Sequence, residues 1–395
     1  IILISESPAR CQFYHHIGLL SIVSPSRDRS VIFRDRVVHQ QRLHYILMSV
    51  AVIQSFDICR FGNQADHYLG ALSFARAVNR TLVLPPFVEY RPGMPFKTYF
   101  EVDPIKQYHR VITMEDFMSE LAPSIWPAGQ RTAYCYYPRH GPTKGDCNAK
   151  DGNPFGPFWD TVQQVSKFPI FCSRYPAEHH LVLAFVGAPA NFPISEDDWQ
   201  LQQYLIWNEK ITKQGDKFIQ EYIPEGPWIG IHLRNGVDWV SHCADIQDIT
   251  CEHINDRIPN MFASPQCIGH HPKPGTLTQE MCFPTTKTIL YQVKELAKKT
   301  QAKTLFVAAD SNHMIPEFEK YLKSLKIKVI RYEPSSPHLD LYLLAQADHF
   351  IANCVSTFSS FAKRERDING RASSFWAYPH PSKEKSKPVQ DHDEF

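Results

Sequence analysis

From residue 286 onward the chain alternates segments of helical period with short apolar runs, and few architectures accept that alternation. Helices are predicted over 286–299, 313–325, 339–347 and 356–367, with strands over 304–309, 327–332 and 349–352 between them. Strands that alternate with helices in this way form a parallel sheet covered by helices on its faces. The series begins with a buried strand at 228–233, inside the stretch Trp-Ile-Gly-Ile-His-Leu-Arg-Asn-Gly-Val-Asp-Trp that runs over 228–239. This strand delivers His232 and Arg234 to a turn containing Asn235 and Gly236. In open α/β sheets ligands bind at the carboxyl ends of strands. A guanidinium there suits phosphate, because it stays charged and grips oxygens in a bidentate way. Pairing of Arg234 with a carboxylate at a domain seam is the competing reading.

At 395 residues the chain is long enough for two domains, and its 43% hydrophobic content is that of a globular protein. A net charge of +1 gives no basic field for nucleic acid. No run of eighteen apolar residues is present, so no transmembrane helix is expected. The ten cysteines form no Cys-x-x-Cys pair, which disfavours zinc. Spread widely among Pro and Gly, they read as disulfides of an oxidising compartment, with free buried thiols as the alternative. Cys135 and Cys147 bracket a polar loop and read as a local bridge; the excursion over 243–282 holds four more cysteines and reads as stapled. The last four residues, His392-Asp393-Glu394-Phe395, resemble the retention address of the endoplasmic reticulum, with Phe in place of Leu. Asn79-Arg80-Thr81 is a glycosylation acceptor.

Residues 1–57 read as an atypical segment, poorly ordered or wrongly joined; the sequence does not begin with Met, and Met48 is an alternative start. The apolar run at 45–56 is either a signal-peptide core or a buried strand. Arg60-Phe61-Gly62-Asn63 then reads as a strand-to-helix turn with Asn63 as N-cap, followed by a helix over 64–78 and a strand over 81–84 halted by Pro85-Pro86. Such a turn presents bare N–H groups, and Arg60 and Asn63 point at the same cleft. Between 89 and 227 the expected elements are a helix over 114–121, an aromatic turn at 152–159, a strand over 181–185 and a helix over 201–213. The aromatic turn is either a floor for a sugar or ordinary packing. The expected division is 58–227, 228–354 and a final helix with tail over 355–395.

A second site lies in Asp-His-Phe-Ile-Ala-Asn-Cys-Val-Ser-Thr-Phe-Ser (348–359). A strand ends near Asn353, and Ser356 and Thr357 open a helix, where hydroxyls and bare amides can hold an anion. An ordinary Ser/Thr N-cap is the alternative. Two anion-seeking ends in one sheet suggest a diphosphate. Asp340, early in its own helix, reads as an acceptor for a base or ribose, or merely as a helix-start carboxylate. The chain has no Walker loop, no Gly-x-Gly-x-x-Gly and no Gly-x-Ser-x-Gly elbow. Its only Asp-x-Asp lies in the tail, so no acidic metal seat is evident and Arg would take the metal's place.

At this point the residues carry a resemblance. Arg-Phe-Gly-Asn-Gln-Ala-Asp-His (60–67), Gly-Asn-Pro-Phe-Gly-Pro-Phe-Trp-Asp (152–160), Gly-Ala-Pro-Ala-Asn-Phe-Pro (187–193), Ile-His-Leu-Arg (231–234), Ala-Ser-Pro-Gln-Cys (263–267), Gln-Ala-Asp-His-Phe-Ile-Ala-Asn-Cys-Val-Ser-Thr-Phe (346–358) and Lys-Arg-Glu-Arg-Asp (363–367) stand in order. Together they resemble the protein O-fucosyltransferases, lumenal enzymes that fucosylate EGF-like repeats. The resemblance covers residue 58 to the terminus. It implies an α/β fold of the GT-B type, with two Rossmann-like domains facing a donor cleft. It implies GDP-fucose as donor, inversion at the anomeric carbon, and neither metal nor cofactor. Acceptors would be EGF-like repeats of extracellular proteins such as Notch-type receptors. Carried over, Arg60, Phe61, Gly62 and Asn63 line the donor cleft. His232, Leu233 and Arg234 meet the nucleotide, with Arg234 on the β-phosphate, and Asp340, Ser356, Thr357 and Phe358 complete the pocket. The resemblance also implies the disulfides Cys135–Cys147, Cys243–Cys282 and Cys267–Cys354. One departure precedes the Arg60 turn: Asp57-Ile58-Cys59 stands where the family has a Cys-Pro-Cys segment.

The mechanism expected is attack of a Ser or Thr hydroxyl on fucose C1, with Arg234 and the helix start at Ser356/Thr357 stabilising departing GDP and Asn63 orienting the acceptor. Two rivals are an EGF-repeat-binding chaperone that no longer turns over donor, and a lumenal transferase using another sugar nucleotide.

Overall fold

The computed structural model describes residues 2–3, 46–50, 61–88, 93–135, 162–165, 180–186, 190, 193–236, 239, 263, 265–269 and 277–378. The chain forms two compact units. The first comprises residues 1–59, 67–98 and 102–190; the second comprises 60–66, 99–101 and 191–395. The second unit thus takes in residues 191–227 and the final helix.

In the first unit a five-stranded sheet runs in the order β1 (Ile2–Leu3), β2 (Ile46–Val50), β9 (Val182–Val186), β7 (Arg131–Cys135), β8 (Val162–Val165). The strands from β2 to β8 pair in parallel, and β1 is antiparallel. The run at 45–56 thus supplies a strand over Ile46–Val50. A second parallel pair joins β3 (Thr81–Leu84) to β6 (Val111–Thr113), and β4 (Phe87–Val88) meets β5 (Gly93–Met94) in a short antiparallel ribbon. Pro85-Pro86 ends β3 as expected, since proline cannot donate to a ladder. The helix α1 (Phe61–Ala77) starts earlier than predicted, so Gly62 and Asn63 lie in its first turn and Asn63 is not its N-cap.

The second unit is a five-stranded parallel sheet in the order β12 (Lys328–Ile330), β11 (Thr304–Ala309), β10 (Trp228–Leu233), β13 (His349–Ala352), β14 (Ser373–Phe375). Between the strands come α3 (Thr286–Thr300), α4 (Ile315–Leu322), α5 (Pro337–Gln346) and α6 (Thr357–Ile368). Counted from β10, the spatial order is third, second, first, fourth, fifth. That is a doubly wound sheet whose direction of winding reverses between β10 and β13. β10 is buried along its whole length. Ile229, Ile231 and Leu233 enter a core with Val307, Val293, Phe318 and Trp376. Gly230 faces α5, where a Cβ would meet Leu344 at 3.0 Å and Ala347 at 3.2 Å, so the missing side chain lets that helix lie against the strand.

One predicted element changes form and one strand is new. The helix expected over 201–213 is a 3₁₀ segment, Glu196–Tyr204, and a separate helix α2 (Glu209–Tyr222) capped by Asn208, whose side chain accepts from the Ile211 N–H. Trp207 bridges to Phe100 between them. Strand β14 was not anticipated, because three residues, Ser-Ser-Phe, carry no period.

Candidate functional site

The winding reversal gathers the candidate residues of the second unit. Arg234 leaves the end of β10 and ion-pairs with Asp310, which leaves the end of β11. The pair is nearly buried, with side chains 7% and 15% exposed. The guanidinium also lies over the Trp239 ring, 4.6 Å from its centroid. Both sequence readings of Arg234 thus meet at one place: the guanidinium ends a strand at the switch point, and it has a carboxylate partner. One nitrogen of the fork, Nη1, meets the carboxylate. A guanidinium carries five N–H donors, so this contact alone does not exhaust it.

The loop after β13 is held by Asn353, not by the hydroxyls expected to cap α6. Asn353 Oδ1 accepts the N–H of Val355 at 3.0 Å and of Ser356 at 3.1 Å. Its Nδ2 donates to the Cys282 carbonyl at 2.7 Å, the acceptor that also takes the Trp239 indole N–H at 3.1 Å. The Arg234 platform and the entry to α6 therefore share an anchor. Ser356 is the N-cap residue but its side chain makes no capping bond. The Thr357 hydroxyl donates to Asn63 Oδ1 at 2.5 Å. The ordinary N-cap reading of Ser356 and Thr357 is set aside. The first-turn amides of α6 lack helical partners by construction and carry the positive end of the helix dipole.

The head of α1 packs on the head of α6. A Cβ at Gly62 would lie 2.6 Å from the Thr357 carbonyl carbon and 2.8 Å from the Phe358 nitrogen. Both atoms are backbone, so only glycine permits this approach. His232 sits beneath: Nδ1 is 2.8 Å from the Ser359 hydroxyl, and its ring is 4.6 Å from that of Phe358. Ser359 Oγ in turn accepts the Asn353 N–H. Phe61 enters an aromatic cluster with Phe100, Trp207 and Phe361, and meets the His338 ring edge-on at 4.7 Å.

Two residues beyond His338, in the first turn of α5, lies Asp340. It is 6% exposed, and burial alone lifts its carboxyl to about 8. No hydrogen bond or ion pair to this carboxyl group is present among the described residues, which is unusual for a buried polar group and keeps it protonated at neutral pH. Strand alternation sends the Leu233 side chain into the core with Ile229 and Ile231, and its backbone stands at the strand end. Arg60 lies outside the described residues.

The motif Lys-Arg-Glu-Arg-Asp at 363–367 anchors α6. Arg364 reaches Asp66 Oδ1 at 2.6 Å, Gln202 Oε1 at 3.2 Å and Ser360 Oγ at 2.7 Å. Glu365 accepts the Trp207 indole N–H at 3.0 Å, and burial raises its carboxyl to about 7. Arg366 turns to the opposite task of binding carbonyls. Sequence reasoning assigned these residues only to a family pattern; their partners lie up to 298 positions away, beyond any local signal.

Of the expected bridges, Cys267–Cys354 is present and Cys282 is disulfide-bonded. Cys243, Cys147 and the side chain of Cys135 lie outside the described residues, as do the motif at 152–160 and the tail His392-Asp393-Glu394-Phe395. Among the described residues no helix is long and apolar enough to cross a membrane.

Comparison with known proteins decides the family. The profile of GDP-fucose protein O-fucosyltransferases matches residues 59–369. The chain belongs to this family. GDP-fucose protein O-fucosyltransferase 1 of Caenorhabditis elegans is 39% identical over 351 residues, covering 82% of this chain and 86% of the relative. A crystal structure of POFUT1 in complex with GDP-fucose is similar at a TM-score of 0.75 and 38% identity, covering 85% of this chain and 98% of the other. A POFUT1 complex with GDP gives 0.73 and 39%, with the same coverage. Family membership makes the chain a fucosyltransferase and its two α/β units those of the GT-B class. The matched span begins at 59, so the atypical segment before it stands outside the family pattern.

Proposed function

We propose that the protein transfers fucose from GDP-fucose to a Ser or Thr hydroxyl of folded EGF-like repeats, with inversion at C1, in the lumen of the endoplasmic reticulum. The observation that carries the donor reading is the switch point itself. There a guanidinium, the amide-rich head of α6 and a buried carboxyl group on α5 with no hydrogen-bond partner among the described residues occupy one sheet end, and solved POFUT1 structures hold GDP-fucose and GDP. The compartment is supported by the disulfides and by Asn79, which is exposed just after α1 and so open to glycosylation. The acceptor is supported by the family resemblance.

In this reading the acceptor oxygen bonds to C1 as the bond from C1 to the β-phosphate oxygen breaks, and the electron pair departs with GDP. The acceptor proton passes to solvent or to the departing phosphate. Arg234 and the α6 amides meet the charge that develops on that phosphate, a term of about 10²–10³ in rate per donor in such sites. No metal or further cofactor is assigned a part. Asn63, held by the Thr357 hydroxyl, orients the acceptor hydroxyl. Asp340 takes the base: an ionised carboxylate offers two acceptors to the paired N–H donors on one edge of guanine. Purified protein given GDP-fucose and a folded EGF-like repeat should add one deoxyhexose per acceptor site. Tight binding of the repeat with no transfer and no donor hydrolysis would instead support the chaperone reading.

The state of Asp340 adds a pH dependence. With its carboxyl at about 8, the empty protein holds this proton at neutral pH, whereas the unfolded chain does not. Folding stability from this group is therefore greatest at low pH and falls as pH rises from the ordinary carboxylate range to about 8. Binding GDP through the ionised form must expel the proton. Calorimetry at pH 7 in buffers of different ionisation enthalpy should show release of about one proton per GDP. The release should vanish in Asp340→Asn. Proton release that is absent in the wild type removes Asp340 from the base site.

A further inference from the structure

We infer that Asp310 is a positioning residue for fucosyl transfer, acting through Arg234; the inference rests on the reading of Arg234 given above. Register makes the pairing. Leu233 lies opposite Ala309 in the parallel β10–β11 ladder, so the next residues, Arg234 and Asp310, leave the sheet side by side. The carboxylate then divides its oxygens. Oδ2 pairs with Arg234 Nη1, and Oδ1 accepts the backbone N–H of Asn235 at 2.7 Å. One side chain thus fixes both the guanidinium and the peptide that follows it. Asn235 closes the arrangement: its Nδ2 donates to the Asn312 carbonyl at 2.6 Å, and its Oδ1 accepts the Asn312 N–H at 3.2 Å. Asn312 Oδ1 accepts the Met314 N–H at 2.9 Å. The turns after β10 and β11 are therefore tied to each other around the ion pair.

The carboxylate has two opposed effects on a phosphate ligand. By partly neutralising Arg234 it weakens attraction to a diphosphate in the ground state. By holding the fork it removes the need to order a flexible side chain as charge develops on the leaving group, which is the condition for electrostatic catalysis. The signature is a loss of kcat without a loss of binding, a split that general damage to the fold does not produce.

The test compares kcat, KM for GDP-fucose and Kd for GDP in Asp310→Asn, which keeps an oxygen for the Asn235 N–H, and in Asp310→Glu, which keeps the charge but displaces it by one methylene. GDP binding by calorimetry confirms an intact site. In both variants kcat should fall about 10²-fold, the usual consequence of misplacing a catalytic group by an ångström. GDP should bind Asp310→Asn as tightly as wild type or more tightly. On an Arg234→Lys background, adding Asp310→Asn should lower kcat little further. A wild-type kcat in both Asp310 variants beside a crippled Arg234→Lys overturns the inference alone. So does a full additional loss on the Arg234→Lys background. A wild-type kcat in Arg234→Lys itself overturns the reading of Arg234 on which the inference rests.

Discussion

Arg234→Ala is expected to lose fucosyl transfer by about three orders of magnitude in kcat/KM, the upper end for removing one preorganised donor from a developing oxyanion. Part of the loss is the positive charge and part is the fork. Arg234→Lys separates them, because the ammonium can still face Asp310 but cannot bind a phosphate in a bidentate way. The Lys variant should therefore fold with a melting temperature near wild type and still lose at least about tenfold in rate, the worth of about 1.4 kcal/mol. The Ala variant leaves Asp310 without its cation in a nearly buried setting, so it should also melt earlier, and its activity must be compared at a temperature where both proteins are folded. Transfer by both variants within a factor of three of wild type would show that the Arg234–Asp310 pair is purely architectural.

What the sequence made legible follows from which forces are local. The strands at 304–309 and 349–352 were placed to the residue, and the last helix starts one residue after the predicted 356, because apolar runs of that length between helices of clear period admit little else. The early start of α1 was missed because Gly62 and Asn63 look like turn residues. Gly62 is required by the backbone of Thr357, nearly three hundred residues away, and Asn63 serves Thr357 instead of its own helix. The break at Leu205–Trp207 was missed for the same kind of reason: Trp207 is claimed by Phe61, Phe100 and Glu365. Arg234 was legible as a cation at a strand end, but its partner was not, since register between β10 and β11 cannot be read from either strand alone. Asp340 was legible as an acidic residue early in a helix; its burial, which gives it chemical meaning, depends on the packing of α5 against β10 and α6.

Arg366 is expected to matter for stability as Arg234 does for rate. Arg366 is 0% exposed, and among the described residues it makes no hydrogen bond to a carboxylate. Its Nη1 donates to the carbonyls of Leu344, Ala345 and Ala347 at 3.0, 3.1 and 2.5 Å. Nη2 reaches the carbonyls of Asp348 at 3.3 Å and Ala372 at 2.5 Å, and Nε reaches Ser373 Oγ at 3.0 Å. One guanidinium thus closes the carboxyl end of α5, the entry to β13 and the entry to β14, at the end of a helix where positive charge is favoured. Burial draws its pKa down to about 10, which leaves it charged at neutral pH. Arg366→Met fills part of the volume and removes every donor, stranding several buried carbonyls at a cost of about 1–3 kcal/mol each. A total near 5 kcal/mol should lower the melting temperature by roughly 10 °C or more for a body of this size. Arg366→Lys keeps the charge and three donors without the planar spread, and should recover only part of the loss. The damage should reach catalysis through Asp340 and α6, which lie on the elements that Arg366 ties together, so GDP should protect the Met variant from heat less than it protects wild type. A Met variant that melts within 3 °C of wild type would mean that water replaces the guanidinium at those carbonyls, and that α5 does not depend on it.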